Sequence, residues 1–105
     1  MRRIGIGIVG CGNIARFHAQ ALKALEAEGA CELVGCADID PERAASLARE
    51  FGIPNHWGDA RALIEHPGIE AISVCTNPPF HVPATMMATA LGKHTIVEKP
   101  MTMDL

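Results

Sequence analysis

Tyrosine is missing from this 105-residue chain, and its four aromatic residues, Phe17, Phe51, Trp57 and Phe80, fall in four separate segments. Scattered in this way they offer no platform on which successive bases could stack. Basic blocks are missing as well. Nine Lys and Arg face twelve Asp and Glu, a formal net charge of -3, so no patch could neutralise a run of phosphates, and nucleic acid is not an expected partner. Paired cysteines are also lacking: Cys11, Cys31, Cys36 and Cys75 are spaced by 20, 5 and 39 residues, which matches neither CxxC nor a paired zinc pattern. No metal site is expected, and the thiols read as small buried hydrophobes. Ten Gly and seven Pro follow no period, and neither a repeat nor a linker is visible.

Two stretches imitate membrane or export signals. Arg2-Arg3 precedes an uncharged run to Ala15, but Gly5, Gly7, Gly10 and Gly12 would be poor in an export helix, and Ile4, Ile6 and Ile8 alternate as in a strand. The span from Ala71 to Gly92 lacks Asp, Glu, Lys and Arg, yet Pro78, Pro79 and Pro83 divide it into a strand, a turn and the start of a helix. The expectation is a soluble, cytoplasmic protein without a membrane partner. With 49% apolar residues, it can bury one modest core in one domain.

Strand and helix patterns alternate along the chain. Ile4 to Val9 predicts a strand broken at Gly10-Cys11-Gly12, and from Asn13 to about Glu28 the apolar positions Ile14, Phe17, Ala21, Leu22 and Leu25 recur at helical spacing before Gly29. Cys31 to Ala37 is a second strand. Asp40 is then placed to cap a helix whose first turn accepts Pro41 and which stops at Gly52. A short extended piece at Asn55 to Trp57, a helix from about Asp59 to Glu65, a strand at Ala71 to Cys75, a helix from Phe80 to Leu91 and a strand at Thr95 to Val97 complete the series. Such alternation predicts an α/β fold: a doubly wound, Rossmann-type parallel sheet with helices on both faces, incomplete at its last strand.

The chemistry is expected at Gly10-Cys11-Gly12-Asn13-Ile14-Ala15, a dinucleotide-binding fingerprint with Ala in its third small position. Gly10 allows the sharp turn, Gly12 lets a pyrophosphate approach the backbone, and Ala15 keeps helix and strand close. The free N–H groups at the helix start face the phosphates. Asp38 ends the second strand, 23 residues beyond Ala15, where its carboxylate can accept hydrogen bonds from both hydroxyls of the adenine-side ribose. This favours NAD over NADP, because a 2′-phosphate would meet like charge, although Arg43 one turn on could soften that rejection. The alternative makes Asp38 a solvated turn residue.

This fingerprint with His18 after it, the stretch Ala71-Ile72-Ser73-Val74-Cys75-Thr76-Asn77-Pro78-Pro79-Phe80-His81, and Gly92-Lys93-His94-Thr95-Ile96-Val97-Glu98-Lys99-Pro100 together resemble the Gfo/Idh/MocA family, the relatives of glucose-fructose oxidoreductase and inositol dehydrogenase. Glu-Lys-Pro after a strand is the most specific element. The resemblance covers the amino-terminal, cofactor-binding half of that family. It implies that the backbone from Gly12 to Ile14 holds the pyrophosphate and Asp38 the ribose. It also implies that Thr76, Asn77, Pro78 and His81 line the central and nicotinamide-side stretch, that Glu98 meets the nicotinamide end, and that Lys99 is the catalytic residue beside the reacting carbon. Bland alternatives are an exposed Glu98–Lys99 ion pair and a polar helix-start role for His81. His56, His66 and His94 read as surface or loop residues.

Relatives continue past Glu-Lys-Pro into a second domain that supplies the substrate pocket, whereas this chain ends at Leu105 and is expected to be a fragment or minimal cofactor module. The resemblance implies hydride transfer between NAD and a secondary alcohol of a sugar- or cyclitol-like small molecule, with the 105-residue chain inactive alone. Its exposed last strand leads to an expected homo-oligomer. The rival is a non-catalytic nucleotide-binding or interaction module that retains only this half.

Overall fold

The computed structural model describes residues 3–75, 86 and 89–97. Their elements follow in the order β1 (Ile4–Val9), α1 (Asn13–Ala27), β2 (Cys31–Ala37), α2 (Pro41–Phe51), β3 (Asn55–Trp57), α3 (Ala60–Ile64), β4 (Ala71–Val74) and β5 (His94–Val97). The five strands are all parallel, in the order β3-β2-β1-β4-β5. Chain order reverses between β1 and β4, so the sheet has a switch point there, where the carboxyl ends of the strands open a crevice suited to a ligand. Most of the expected helix from Phe80 to Leu91 lies outside the described residues.

Alternation along β1 explains how both faces are covered. Ile6 and Ile8 pack toward α1 and α2, in clusters that include Leu33, Cys36, Ala44 and Leu47. On the other face Val9 joins Leu63, Ile64, Ile69, Ile72 and Val74. Between the isoleucines, the glycines face the second layer and let it come close: a Cβ at Gly7 would lie 2.8 Å from Leu63 Cδ2 and 2.9 Å from Ile69 Cδ1. A side chain there would have to displace α3.

Helix ends are set by local chemistry. Asp40 accepts the Glu42 N–H at 3.0 Å and Asp59 accepts the Arg61 N–H at 3.0 Å, capping α2 and α3. Gly52, at φ 66°, closes α2 in the left-handed conformation. Helix α1 departs from its sequence pattern. Its contact face is Ala15 and Ala19, both fully buried, whereas Ile14 is 44%, Phe17 73% and Leu25 43% exposed. Close helix-on-sheet packing takes the two alanines at the contact, keeps Leu22 partly buried against the core as the pattern expects, and turns Ile14, Phe17 and Leu25 outward. Among the described residues no helix is long and apolar enough to cross a membrane.

Candidate cofactor site

The turn after β1 begins with Gly10 at φ 96°, a left-handed conformation that disfavours any side chain. The Gly10 N–H donates to the Ala37 carbonyl at 2.7 Å, so the turn stays joined to the end of β2. Gly12 then starts α1. Its φ of -86° needs no glycine, and a Cβ built there would meet nothing within 4 Å. Among the described residues nothing requires a missing side chain at Gly12, and the space beside it suits a ligand.

Helix α1 also differs from α2 and α3 at its start. The Gly12 N-cap provides no side-chain hydrogen bond, and the first turn carries no acidic residue. Its N–H groups and positive dipole end therefore lack the carboxylate that caps the other two helices, an arrangement suited to an anionic group. Asn13 and Ile14 are the first two residues of this helix, and Ile14 is exposed.

Asp38 is brought directly to this turn. Its Oδ2 accepts the Cys11 N–H at 2.8 Å, and its Oδ1 accepts the Asp40 N–H at 2.8 Å. Two hydrogen bonds leave lone pairs on both oxygens, because a carboxylate offers about four acceptor sites. Asp38 is thus oriented by the fingerprint backbone rather than free in solvent, while Asp40 is the helix cap. Ile39, an exposed apolar residue between these two acids, presents a hydrophobic surface at the same edge. Periodicity does not mark it; the signal in the sequence is an apolar residue between two turn aspartates.

Beneath the turn the Cys11 thiol donates to the Ala37 carbonyl at 3.4 Å. Hydrogen bonding with Cys36, together with burial, pushes the Cys11 thiol up. An open cleft of about 330 Å³ lies beside the turn, lined by Cys11, Gly12, Arg16, Arg43, Ser46 and Leu47. Its arginines are partnered: Arg16 Nε lies 2.9 Å from Glu50 Oε1, and Arg43 Nε lies 3.8 Å from Asp40 Oδ2. Arg43 is therefore drawn toward the cap rather than toward Asp38.

On the other side of β1, the Cys75 N–H donates to the Val9 carbonyl at 2.7 Å, so the chain leaving β4 starts beside the fingerprint. Thr76, Asn77, Pro78, His81, Glu98 and Lys99 lie outside the described residues. Among the described residues no group of three or more His, Cys, Asp or Glu could hold a metal ion. His66, read as a loop residue, has a local structural role: its ring lies 5.6 Å from that of Trp57, and its Nδ1 accepts the Gly68 N–H.

Residues 4–105 match the model of an oxidoreductase family with an NAD-binding Rossmann fold, GFO_IDH_MocA. The chain belongs to this family. Gfo/Idh/MocA relatives include levoglucosan dehydrogenase of Pseudarthrobacter phenanthrenivorans, 31% identical across 96% of this chain and 27% of the relative. Myo-inositol 2-dehydrogenase of Thermotoga maritima is 28% identical across 95% of this chain and 29% of the relative. Among solved structures, levoglucosan dehydrogenase in complex with NADH and L-sorbose superposes with a TM-score of 0.87 at 30% identity, over 95% of this chain and 28% of the other. The myo-inositol dehydrogenase of Lactobacillus casei, in complex with NAD(H) and myo-inositol, gives 0.85 at 26% identity, over 96% and 30% respectively. The chain thus spans less than a third of the length of these family members.

Proposed function

We propose that this chain is the cofactor-binding part of an NAD-dependent dehydrogenase acting on a secondary alcohol of a sugar- or cyclitol-like substrate. The observation that carries the reading is the hydrogen bond from the Cys11 N–H that holds the Asp38 carboxylate against the fingerprint turn, with a second from the Asp40 N–H fixing its orientation. Gly12 supplies the opening for the pyrophosphate, the uncapped start of α1 supplies donors from Gly12, Asn13 and Ile14, and Gly10 makes the turn that aims them. Asp38 accepts from the adenine-side ribose, and Ile39 offers apolar surface nearby.

When bound, NAD supplies a nicotinamide carbon that accepts hydride. In this reading Thr76, Asn77, Pro78, His81 and Glu98 line the central and nicotinamide end, and Lys99 orients the substrate hydroxyl and takes part in moving its proton. The support for these six is the family membership and the Glu98-Lys99-Pro100 tripeptide that follows β5. The substrate class is supported by the cyclitol and sugar dehydrogenases among the relatives.

The proposal extends to a cytoplasmic, self-associating protein. Cys11, Cys31 and Cys36, buried thiols outside any disulfide, suit a reducing compartment. Exposed Ile14, Phe17 and Leu25 on α1, and β5 as the outermost strand of the described sheet, suit an interface. Calorimetric titration with NAD and NADP tests the central claim. Clear preference for NAD is expected, and equal or tighter NADP binding would remove Asp38 from the site.

A further inference from the structure

Ser73 is the one buried polar side chain among the described residues, only 1% exposed. It lies on β4 opposite Ile8 of β1. Its neighbours Ile72 and Val74 join the cluster on the α3 face, so Ser73 points toward α1. At such a site an Ala would pack as well without carrying a hydroxyl out of water, and a buried hydroxyl needs a partner. That partner is 55 residues away: Ser73 Oγ and His18 Nδ1 are 3.0 Å apart. On its other side Ser73 Oγ lies 3.6 Å from Cys75 Sγ, and the Cys75 N–H bonds the end of β1. His18 is on the second turn of α1, just beyond the fingerprint. A continuous line of polar contacts therefore runs from the fingerprint helix, through Ser73, to the residue where the chain leaves β4.

From this geometry we infer that His18 is a positioning residue: through Ser73 it sets the carboxyl end of β4 against the fingerprint helix, and so fixes the two walls between which a dinucleotide lies. The inference rests on the dinucleotide reading given above. Asp38 and the fingerprint turn lie at the β2 side of β1, and together they meet the adenine, its ribose and the phosphates. The remainder of the dinucleotide must extend across β1 toward β4, because β4 is the strand on the other side. Loss of the His18–Ser73 bond should therefore affect the second half of the ligand and spare the first.

The test compares NAD with ADP, which carries only the first half, by calorimetric titration of the whole chain, with folding checked by circular dichroism. His18→Leu and Ser73→Ala are each expected to weaken NAD about tenfold, the scale of one hydrogen bond with an unsatisfied partner, and to leave ADP unchanged. His18→Asn, whose amide can occupy the Nδ1 position, should restore NAD binding. The double variant His18→Leu/Ser73→Ala should bind NAD no worse than either single one. Equal losses for NAD and ADP, no loss for either, or additive losses would overturn the inference. If His18→Leu does not fold, Ser73→Ala and His18→Asn decide by the same comparison. An unsubstituted chain that binds neither nucleotide would instead overturn the dinucleotide reading, and this inference with it.

Discussion

The Cys11 N–H donates to Asp38 Oδ2 at 2.8 Å, which joins the turn after β1 to the end of β2 across 27 residues of chain. The same carboxylate also holds the Asp40 N–H, so Asp38 organises the turn that the proposed function assigns to a ligand. Replacing it by Ala should weaken NAD by about 1 to 3 kcal/mol, the range for hydrogen bonds to a charged acceptor. It should also lower the melting temperature, because two backbone donors lose their partner. Asp38→Asn keeps one acceptor oxygen and should lower the melting temperature less. Calorimetry and thermal denaturation of the two variants separate the roles; unaltered NAD affinity in Asp38→Ala would exclude Asp38 from the cofactor site.

Two glycines should respond in opposite ways to a side chain. Gly12→Val is expected to abolish NAD binding while the chain stays folded, since a Cβ there meets none of the described residues within 4 Å. Gly7→Ala should destabilise the fold by about 1 to 3 kcal/mol through overpacking, because the new methyl would press on Leu63 and Ile69. Urea unfolding and NAD titration of both variants check this. NAD binding at full strength by Gly12→Val would refute the fingerprint assignment.

Asp40 caps α2. Asp40→Ala should cost about 0.5 to 2 kcal/mol of stability through loss of the bond from the Glu42 N–H. NAD affinity should change little. A loss of affinity comparable with that of Asp38→Ala would mean that the two acids share the ribose.

Glu26 should impart an acid limb to stability. It accepts from Lys23 Nζ at 2.5 Å and from the Leu33 N–H at 3.0 Å, beside the register shift between β1 and β2. The bond from Lys23, with that from Leu33, holds its carboxyl below the ordinary value of 4.5. A carboxyl depressed in the folded state contributes stability that is present above its unfolded value and is lost as pH falls through the folded one. Melting temperature should therefore decline as pH is lowered below about 4.5, and Glu26→Gln should flatten that decline. An unchanged acid limb in the variant would show that other carboxylates set it.

What the sequence by itself determined was whatever depends on near neighbours. Alternating Ile4, Ile6 and Ile8, the glycine turn into α1, the Asp40-Pro41 start of α2 and the stops at Gly29 and Gly52 can each be read within a few residues, because strand period, capping and left-handed backbone are local chemistry. The parallel order followed from strands alternating with helices, since a parallel pair needs a crossover. Which face of α1 is buried was settled only by tertiary packing. Periodicity marks Ile14, Phe17 and Leu25 as an apolar stripe but cannot say that close approach to the sheet selects Ala15 and Ala19. The bonds from Cys11 to Asp38, from Leu33 to Glu26 and between Ser73 and His18 also came only with the fold. Each joins separate elements, and no pattern within either segment specifies a partner that the chain brings near only when the sheet is assembled.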